Sequence, residues 1–386
     1  MSKYELYWCQ CSDKGIISDG VVNVDIKPFE KKVVDLELGK LPKTEYYLNL
    51  ELREKDDTAY CKAGHIVAEQ QFVINEFDNV YDEIEEEQQL LVDDTYGSLR
   101  IISDDVVIRF ERRERNQLYS IKVGNEELLQ APMRLNFWRA LTDNDRGTRA
   151  GSRLGCWRDA GDTPGIFNNT KWSIEGYKIL DDGKKVVVTS GATVCTQPES
   201  KASIVYTITS KGMEINLHFY PDPSLPEIPE VSLLFELPKD FENVTYLGNG
   251  PEENYIDRAN AAKIGLYNTT VSDMWVDYLK PQECGNRTGV RYATLVGDKK
   301  VFSLVAEPVM EFNACHWLPK EIENVWHQKD LPEPNKTVVR CIARQQGIGG
   351  YDSWGAHCNE KYKNKTDKPT GSNSKSDFRN LSINYI

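Results

Sequence analysis

The sequence predicts an all-β protein, a small β-sandwich followed by one large antiparallel β domain. Three features predict it. Apolar and polar residues alternate in short runs along most of the chain, turn-forming Gly, Pro, Asn and Asp punctuate those runs, and helical periodicity is hard to find over any long window.

The first module covers residues 1–76. Its apolar positions fall in sets of period two: Val21, Val22, Val24 and Ile26; Val33, Val34, Leu36 and Leu38; Tyr46, Leu48, Leu50 and Leu52; and Ile66, Ala68, Phe72 and Ile74. Asp19-Gly20, Lys27-Pro28, Gly39 to Pro42 and Asp56-Asp57 separate the sets, as turns separate the strands of a small sandwich. Residues 77–96 crowd Asp78, Asp82, Glu83, Glu85, Glu86 and Glu87 between sparse apolar positions, which reads as a solvated linker.

From residue 97 to 386 the alternation returns, through Leu99 and Ile101, Val106 to Phe110, Ile204 to Ile208, Ile215 to Phe219, Val231 to Leu237 and Phe302 to Val305. Such a pattern fits antiparallel sheet with one face buried. Nothing repeats at the period of a propeller or solenoid. The polar stretch Lys361 to Lys375 reads as a surface loop before a closing strand with Phe378, Leu381, Ile383 and Tyr385.

A net charge of -13 argues against binding nucleic-acid phosphates or an anionic membrane, and leaves neutral ligands such as sugars open. The amino terminus has no apolar segment behind a basic start, and no stretch approaches the ~20 apolar residues of a spanning helix. The expected compartment is therefore the cytoplasm. Nine cysteines without a C-x-x-C fit reduced thiols. Cys9 and Cys11 have no further Cys or His nearby in sequence, so no metal site is assigned to them.

Three segments pack aromatic, Asn, Asp, Arg and Gly residues together without a simple period: Phe137 to Gly147 (FWRALTDNDRG), Tyr246 to Arg258 (YLGNGPEENYIDR) and Gly347 to Gly355 (GIGGYDSWG). This composition suits loops that face polar ligands. In order and spacing they resemble the carboxy-terminal domain of glycoside hydrolase family 2 β-galactosidases. Ser272-Asp273-Met274, Tyr278, Pro281-Gln282-Glu283 and Asn286-Arg287 carry the same resemblance, which extends from about Gly97 to Ile386. Tyr4 to Phe77, including Lys62 to Phe72, is similar to the immunoglobulin-like domain that precedes it in that family.

The resemblance implies a truncated immunoglobulin-like sandwich, lacking its first strand, followed by an antiparallel supersandwich of the galactose mutarotase type. It also implies an accessory part or small subunit of a β-galactosidase, inactive alone. A barrel on another chain would supply both catalytic glutamates for retaining hydrolysis of terminal β-D-galactosides, and this chain would complete the sugar pocket. The expected partners are the β-galactoside and the large fragment or subunit carrying the barrel, in an oligomer. Magnesium and sodium are expected in the complete enzyme, with no metal or other cofactor held by this chain. A non-catalytic carbohydrate-binding or assembly module, or a stand-alone aldose mutarotase or epimerase, are the alternatives. Against the last, His65, His218, His316, His327 and His357 sit in no recognisable mutarotase motif.

Trp354 is the candidate substrate-binding residue. An exposed indole offers a flat face to the C–H side of a pyranose and one N–H donor, and the resemblance places this tryptophan in the sugar site. A core tryptophan beneath the loop is the alternative. Asp143, Asn144, Asp145 and Gly147 are the candidate pocket loop, with Gly147 opening a glycine-bearing segment to Trp157 that shapes or gates the pocket. Asp143 and Asp145 could pass for a glycosidase carboxylate pair, but the nearby Arg139 and Arg146 favour structural ion pairs or turn caps. Glu252, Glu253, Asn254, Asp257 and Arg258 read mainly as a hydrogen-bonded turn. No catalytic residue is assigned, including Asn75-Glu76, Asn125-Glu126 and Asn359-Glu360.

Overall fold

The computed structural model describes residues 3–39, 45–75, 88–112, 117–161, 170–352, 354–366 and 378–385. The chain divides into two compact units, Met1–Glu83 with Lys263–Leu266, and Ile84–Ala262 with Tyr267–Ile386.

In the first unit, β1 (Tyr4–Ser12), β2 (Gly15–Val22), β3 (Tyr46–Glu54) and β4 (Ile66–Asn75) form one antiparallel sheet of order β2-β1-β3-β4. Register pairs Trp8 with Leu50 and Leu48 with Phe72. Three of the four apolar sets become strands or strand ends. The set at Val33 to Leu38 does not: these residues join no ladder, and Val33 is almost fully exposed. Alternation signals a strand only where a neighbour supplies hydrogen bonds and a surface to cover. Lys27-Pro28 turns as expected, with the Glu30 N–H donating to the Lys27 carbonyl.

The second unit opens with a meander of β5 (Leu91–Asp94), β6 (Ser98–Ile102), β7 (Val106–Glu111), β8 (Leu118–Val123) and β9 (Glu126–Glu127). The expected linker over 77–96 is thereby shortened. Residues 76–87 lie outside the described residues, and Leu91–Asp94 pairs with Ser98–Ile102 as a strand. Sequence composition overstated the linker because a four-residue strand with two aspartates carries little apolar signal.

The main sheet contains β10 (Ala131–Asn136), β11 (Lys171–Leu180), β12 (Lys185–Val194), β13 (Ser200–Ile208), β14 (Gly212–Tyr220), β15 (Glu230–Pro238), β16 (Asn243–Gly250), β17 (Arg287–Val296), β18 (Val301–Cys315), β19 (Lys336–Gln345) and β20 (Phe378–Tyr385). Its path runs β10-β15-β19-β18-β20-β14-β13-β12-β11, and β17 connects β16 to β18. The closing strand expected near the end of the sequence is thus central, between β18 and β14. Before it, Lys361 to Thr366 is no free surface loop. The Asn364 and Thr366 side chains are buried and donate to the carbonyls of Arg344 and Leu225, and residues 367–377 lie outside the described residues.

Alternate residues of β7 and β13 point into one large core, where Phe110 meets Tyr206 edge-on at 4.9 Å between ring centroids. Central β15 is buried on both faces. Val231, Leu233, Phe235 and Leu237 enter the large core, whereas Leu234 joins a smaller cluster with Ala140, Leu318, Ile322 and Val338. No helix among the described residues is long and apolar enough to cross a membrane.

The segment after Thr142 folds into three short helices, α1 (Asp143–Gly147), α2 (Ala150–Arg153) and α3 (Gly155–Ala160), while α4 (Pro319–Glu323) lies later in the chain. Leu154 and Trp157 anchor this segment in the large core. The Trp157 indole packs on Phe137 and Phe219 at centroid distances of 5.8 and 6.0 Å, and its Nε1–H donates to the Pro226 carbonyl at 3.1 Å. Trp157→Ala should lower unfolding stability by about 3–5 kcal/mol, the usual cost of emptying a buried aromatic site. Urea titration of the purified variant measures this; a loss below about 1 kcal/mol would mean the helices are not pinned by the indole.

Candidate functional site

The centre of the three motifs is Arg139, fully buried just beyond β10. Its Nε and Nη2 hold the two Asp145 carboxylate oxygens at 3.2 and 3.1 Å. Nη1 donates to Gln345 Oε1 at 3.1 Å and the Gln346 carbonyl at 2.7 Å, and Nη2 also reaches the Gly347 carbonyl at 3.2 Å. Every N–H of the guanidinium therefore has an acceptor. Burial opposes the charge, but Asp145 and then Glu283 offset it and hold the pKa above its ordinary value.

Asp145 is equally committed. The Thr142 side chain accepts from the Asp145 N–H, and Asp145 Oδ2 accepts from the Thr142 N–H, each at 3.1 Å, so the pair forms a capping box at α1. Asp143 is exposed and pairs with Arg146 at 2.8 Å. The two aspartates thus lie in a capped helix, and each serves an arginine. A five-residue helix is too short to leave a periodic signal in sequence.

Asn144 and Gly147 connect this helix to the Gly347 to Gly355 loop. Asn144 Nδ2 donates to the Ile348 carbonyl at 3.1 Å. Gly355 has φ +87°, and a Cβ there would lie 2.8 Å from the Gly147 carbonyl oxygen, so the crossing requires glycine. From the remaining motif, Asp257 accepts from the N–H groups of Ile348 and Gly349 at 3.0 and 2.9 Å. Asp352 then closes the tip, with its Oδ1 accepting from Trp354 N–H at 2.9 Å and Ala356 N–H at 3.0 Å. On this tied loop the Trp354 side chain stands in solvent, 92% exposed, beside a half-exposed Tyr351. The alternative of a core tryptophan is excluded.

Asn254, Glu253 and Arg258 form the turn that their composition suggested. Asn254 donates to the Asn249 and Glu252 carbonyls at 3.0 and 2.9 Å and accepts from the Thr288 backbone and hydroxyl at 2.8 and 2.6 Å. Glu253 accepts from Tyr278 Oη at 2.6 Å and Gly285 N–H at 2.8 Å, and pairs with Arg258.

A buried network beneath the loop escaped sequence reading. Arg340 binds Glu230 and holds both Glu283 oxygens at 2.6 and 2.7 Å, while Gln345 Nε2 donates to Glu230 at 2.8 Å. Glu311 accepts from Asn286 Nδ2 at 2.8 Å and from Gln345 N–H at 3.1 Å. The available signal was a charge inside an otherwise apolar strand, as in Val338-Val339-Arg340-Cys341-Ile342. Burial raises the Glu311 pKa to about 7 despite those two donors, and burial likewise raises that of Glu283 against the pull of Arg340.

Directly under the loop, Asn144, Gln346, Gly347 and Cys358 line a crevice of about 10 Å³, room for about one water and not for a sugar ring. Among the described residues, no three His, Cys, Asp or Glu side chains gather in a group able to hold a metal ion.

Residues 103–372 match the family described as beta galactosidase small chain, and residues 1–75 match beta-galactosidase, domain 4. The chain belongs to the β-galactosidase family. It is 33% identical over 320 residues to a beta-galactosidase of Priestia megaterium, covering 82% of this chain and 30% of that protein. It is 26% identical over 304 residues to a beta-galactosidase small subunit of Latilactobacillus sakei, covering 70% of this chain and 94% of that one. The chain thus spans about a third of the length of most long relatives, such as those of Priestia megaterium and Streptococcus thermophilus at 30% and 33%. A galactose mutarotase-like protein from Lactobacillus casei superposes with a TM-score of 0.40 at 11% identity, covering 75% of this chain and all of that one.

Arg139→Met strands Asp145 as a buried, unpaired charge and should cost about 3–5 kcal/mol of stability. Chemical denaturation tests it, and a loss below about 1 kcal/mol would show that the loop holds without the guanidinium. Glu311 supplies a pH test. Its raised pKa makes the folded state the tighter proton binder, so its contribution is complete below about pH 4.5 and lost as pH rises through about 7. Glu311→Gln should therefore flatten the decline in unfolding free energy across that window, measured by urea titrations at several pH values. An unaltered slope would assign the decline to other groups.

Proposed function

We propose that this chain is an accessory part or small subunit of a β-galactosidase, whose exposed Trp354 forms one wall of a sugar pocket completed by another polypeptide. One observation carries the reading: a 92% exposed indole at the tip of a loop that three separate motifs hold in place. Its flat face can cover the C–H side of a galactopyranose, and its Nε1–H can donate to a ring hydroxyl. The loop is already ordered, so stacking a sugar on it loses little conformational entropy.

In this reading α1 sets the pocket edge. Asn144 and Gly147 fix the loop against it, Asp145 holds Arg139, and Asp143 lies exposed at the rim. The anchoring of Leu154 and Trp157 favours shaping over gating. Chemistry falls to the barrel of the partner, where two carboxylates perform retaining hydrolysis of a terminal β-D-galactoside. The magnesium and sodium of the complete enzyme are assigned to its other domains. A cytoplasmic setting and an oligomeric assembly complete the proposal, and the nine free cysteines accord with a reducing compartment.

Hydrolysis of a chromogenic β-galactoside tests it, with the chain alone and then mixed with a barrel-bearing β-galactosidase fragment. Activity is expected only in the mixture; turnover by the chain alone would overturn the accessory role. In the active mixture, Trp354→Ala should raise KM by about five- to tenfold, on the order of 1 kcal/mol of lost stacking. An unchanged KM would remove Trp354 from the pocket. Sugar binding without complementation would point to a binding module, and a faster change in the optical rotation of freshly dissolved galactose than occurs without the protein would point to a mutarotase.

A further inference from the structure

A second cavity shares no lining residue with the Trp354 loop. It encloses about 170 Å³ between the end of β10, Leu234 of β15 and helix α4. Trp138, Leu234 and Leu318 give it an apolar floor. A dry cavity of about 150 Å³ is enough to admit benzene, so the space suits one six-membered ring or a branched alkyl group.

The charges at this cavity do not balance. Arg158, Lys320 and Arg134 line it, with Glu323 as the one carboxylate among the lining residues. Glu323 is already engaged: Oε2 accepts from Trp138 Nε1–H at 2.7 Å, and Oε1 lies 3.7 Å from Arg158 Nη1. Arg158 also holds Asp159 at 3.2 Å. Arg134 is more than nine-tenths buried and pairs with Glu236 through Nη2, yet its Nε–H is buried without an acceptor. Lys320 is solvent-accessible and has no ion pair among the described residues. An apolar floor beside an ammonium with no ion pair among the described residues lacks one thing, an anionic acceptor attached to an apolar body.

We propose that this cavity binds a small monocarboxylate with an aromatic or branched aliphatic body, the ring lying against Trp138, Leu234 and Leu318 and the carboxylate meeting Lys320 and Arg158. A sugar fits less well, since a pyranose needs hydroxyl partners around its whole rim. The site is independent of the role of Trp354, so either reading can fail without the other.

Calorimetric titration of the whole chain with sodium benzoate, and separately with benzyl alcohol, tests the proposal. Benzoate should bind saturably at one site per chain and about tenfold more tightly than the alcohol, since charge-assisted hydrogen bonds are about twice as strong as neutral ones. Lys320→Gln, a change at an accessible position, should weaken benzoate about three- to tenfold and leave the alcohol unchanged, as expected for loss of one charge-assisted bond. Absence of saturable benzoate binding, equal affinity for the two probes, or indifference of benzoate to Lys320→Gln in a folded variant would each overturn it.

Discussion

One buried guanidinium sets the geometry of everything around the candidate site. Arg139 sits between a helix cap and the chain leaving β19, and its planar fork satisfies Asp145 on one side and Gln345, Gln346 and Gly347 on the other. Lysine could not substitute, because a single ammonium cannot span a carboxylate, an amide oxygen and two carbonyls in one plane. Burying such a charge is expensive, and the expense is offset only because every donor is used. The arrangement is therefore intolerant of partial loss. It also explains why motifs far apart in sequence share one loop: Asp145 caps α1, Asn144 of that helix grips Ile348, and Gly147 meets Gly355.

The same economy extends below the loop. Strand β15 sends Val231, Leu233, Phe235 and Leu237 to the large core, while Glu230, Ser232 and Glu236 occupy its other buried face. Glu230 lies at the junction, accepting from Arg340, Gln345 and Asn136. A sheet whose second face is filled by paired charges has few ways to shift register, since a slip of one residue would place carboxylates in the apolar core. Position at the loop is thus inherited from register in the sheet.

Much of the fold was legible in the sequence because one-sided burial writes itself as period two. The runs at Val106 to Phe110, Ile204 to Ile208 and Ile215 to Phe219 became strands whose alternate residues are buried. The failures share a cause. Val33 to Leu38 alternates but finds no ladder, Leu91–Asp94 is a strand too short to show its period, and α1 is a helix of a single turn. Local pattern is silent about neighbours, and short elements exist through neighbours. At the candidate site, the three motifs proved to be segments that the structure brings together, but a lone tryptophan among glycines reads the same in sequence whether buried or exposed. The Glu230, Glu283 and Arg340 network was invisible for the opposite reason, because a charge in a strand ordinarily signals a wet face.

The carboxylates around Trp354 show what this loop can contribute to chemistry. Asp257 accepts from two backbone N–H groups of the loop, Asp352 closes its tip, Asp145 is held by Arg139 and Thr142, and Asp143 pairs with Arg146. Glu311, with its pKa near neutrality, has the value of a general acid but is sealed beneath the sheet with both oxygens engaged. Proton transfer to a glycosidic oxygen needs a carboxyl group within hydrogen-bond reach of it, and a nucleophile needs a free oxygen. Releasing Asp145, Asp257 or Asp352 for that purpose would loosen the loop that presents the indole. A site whose acids are committed to rigidity offers shape and an aromatic surface.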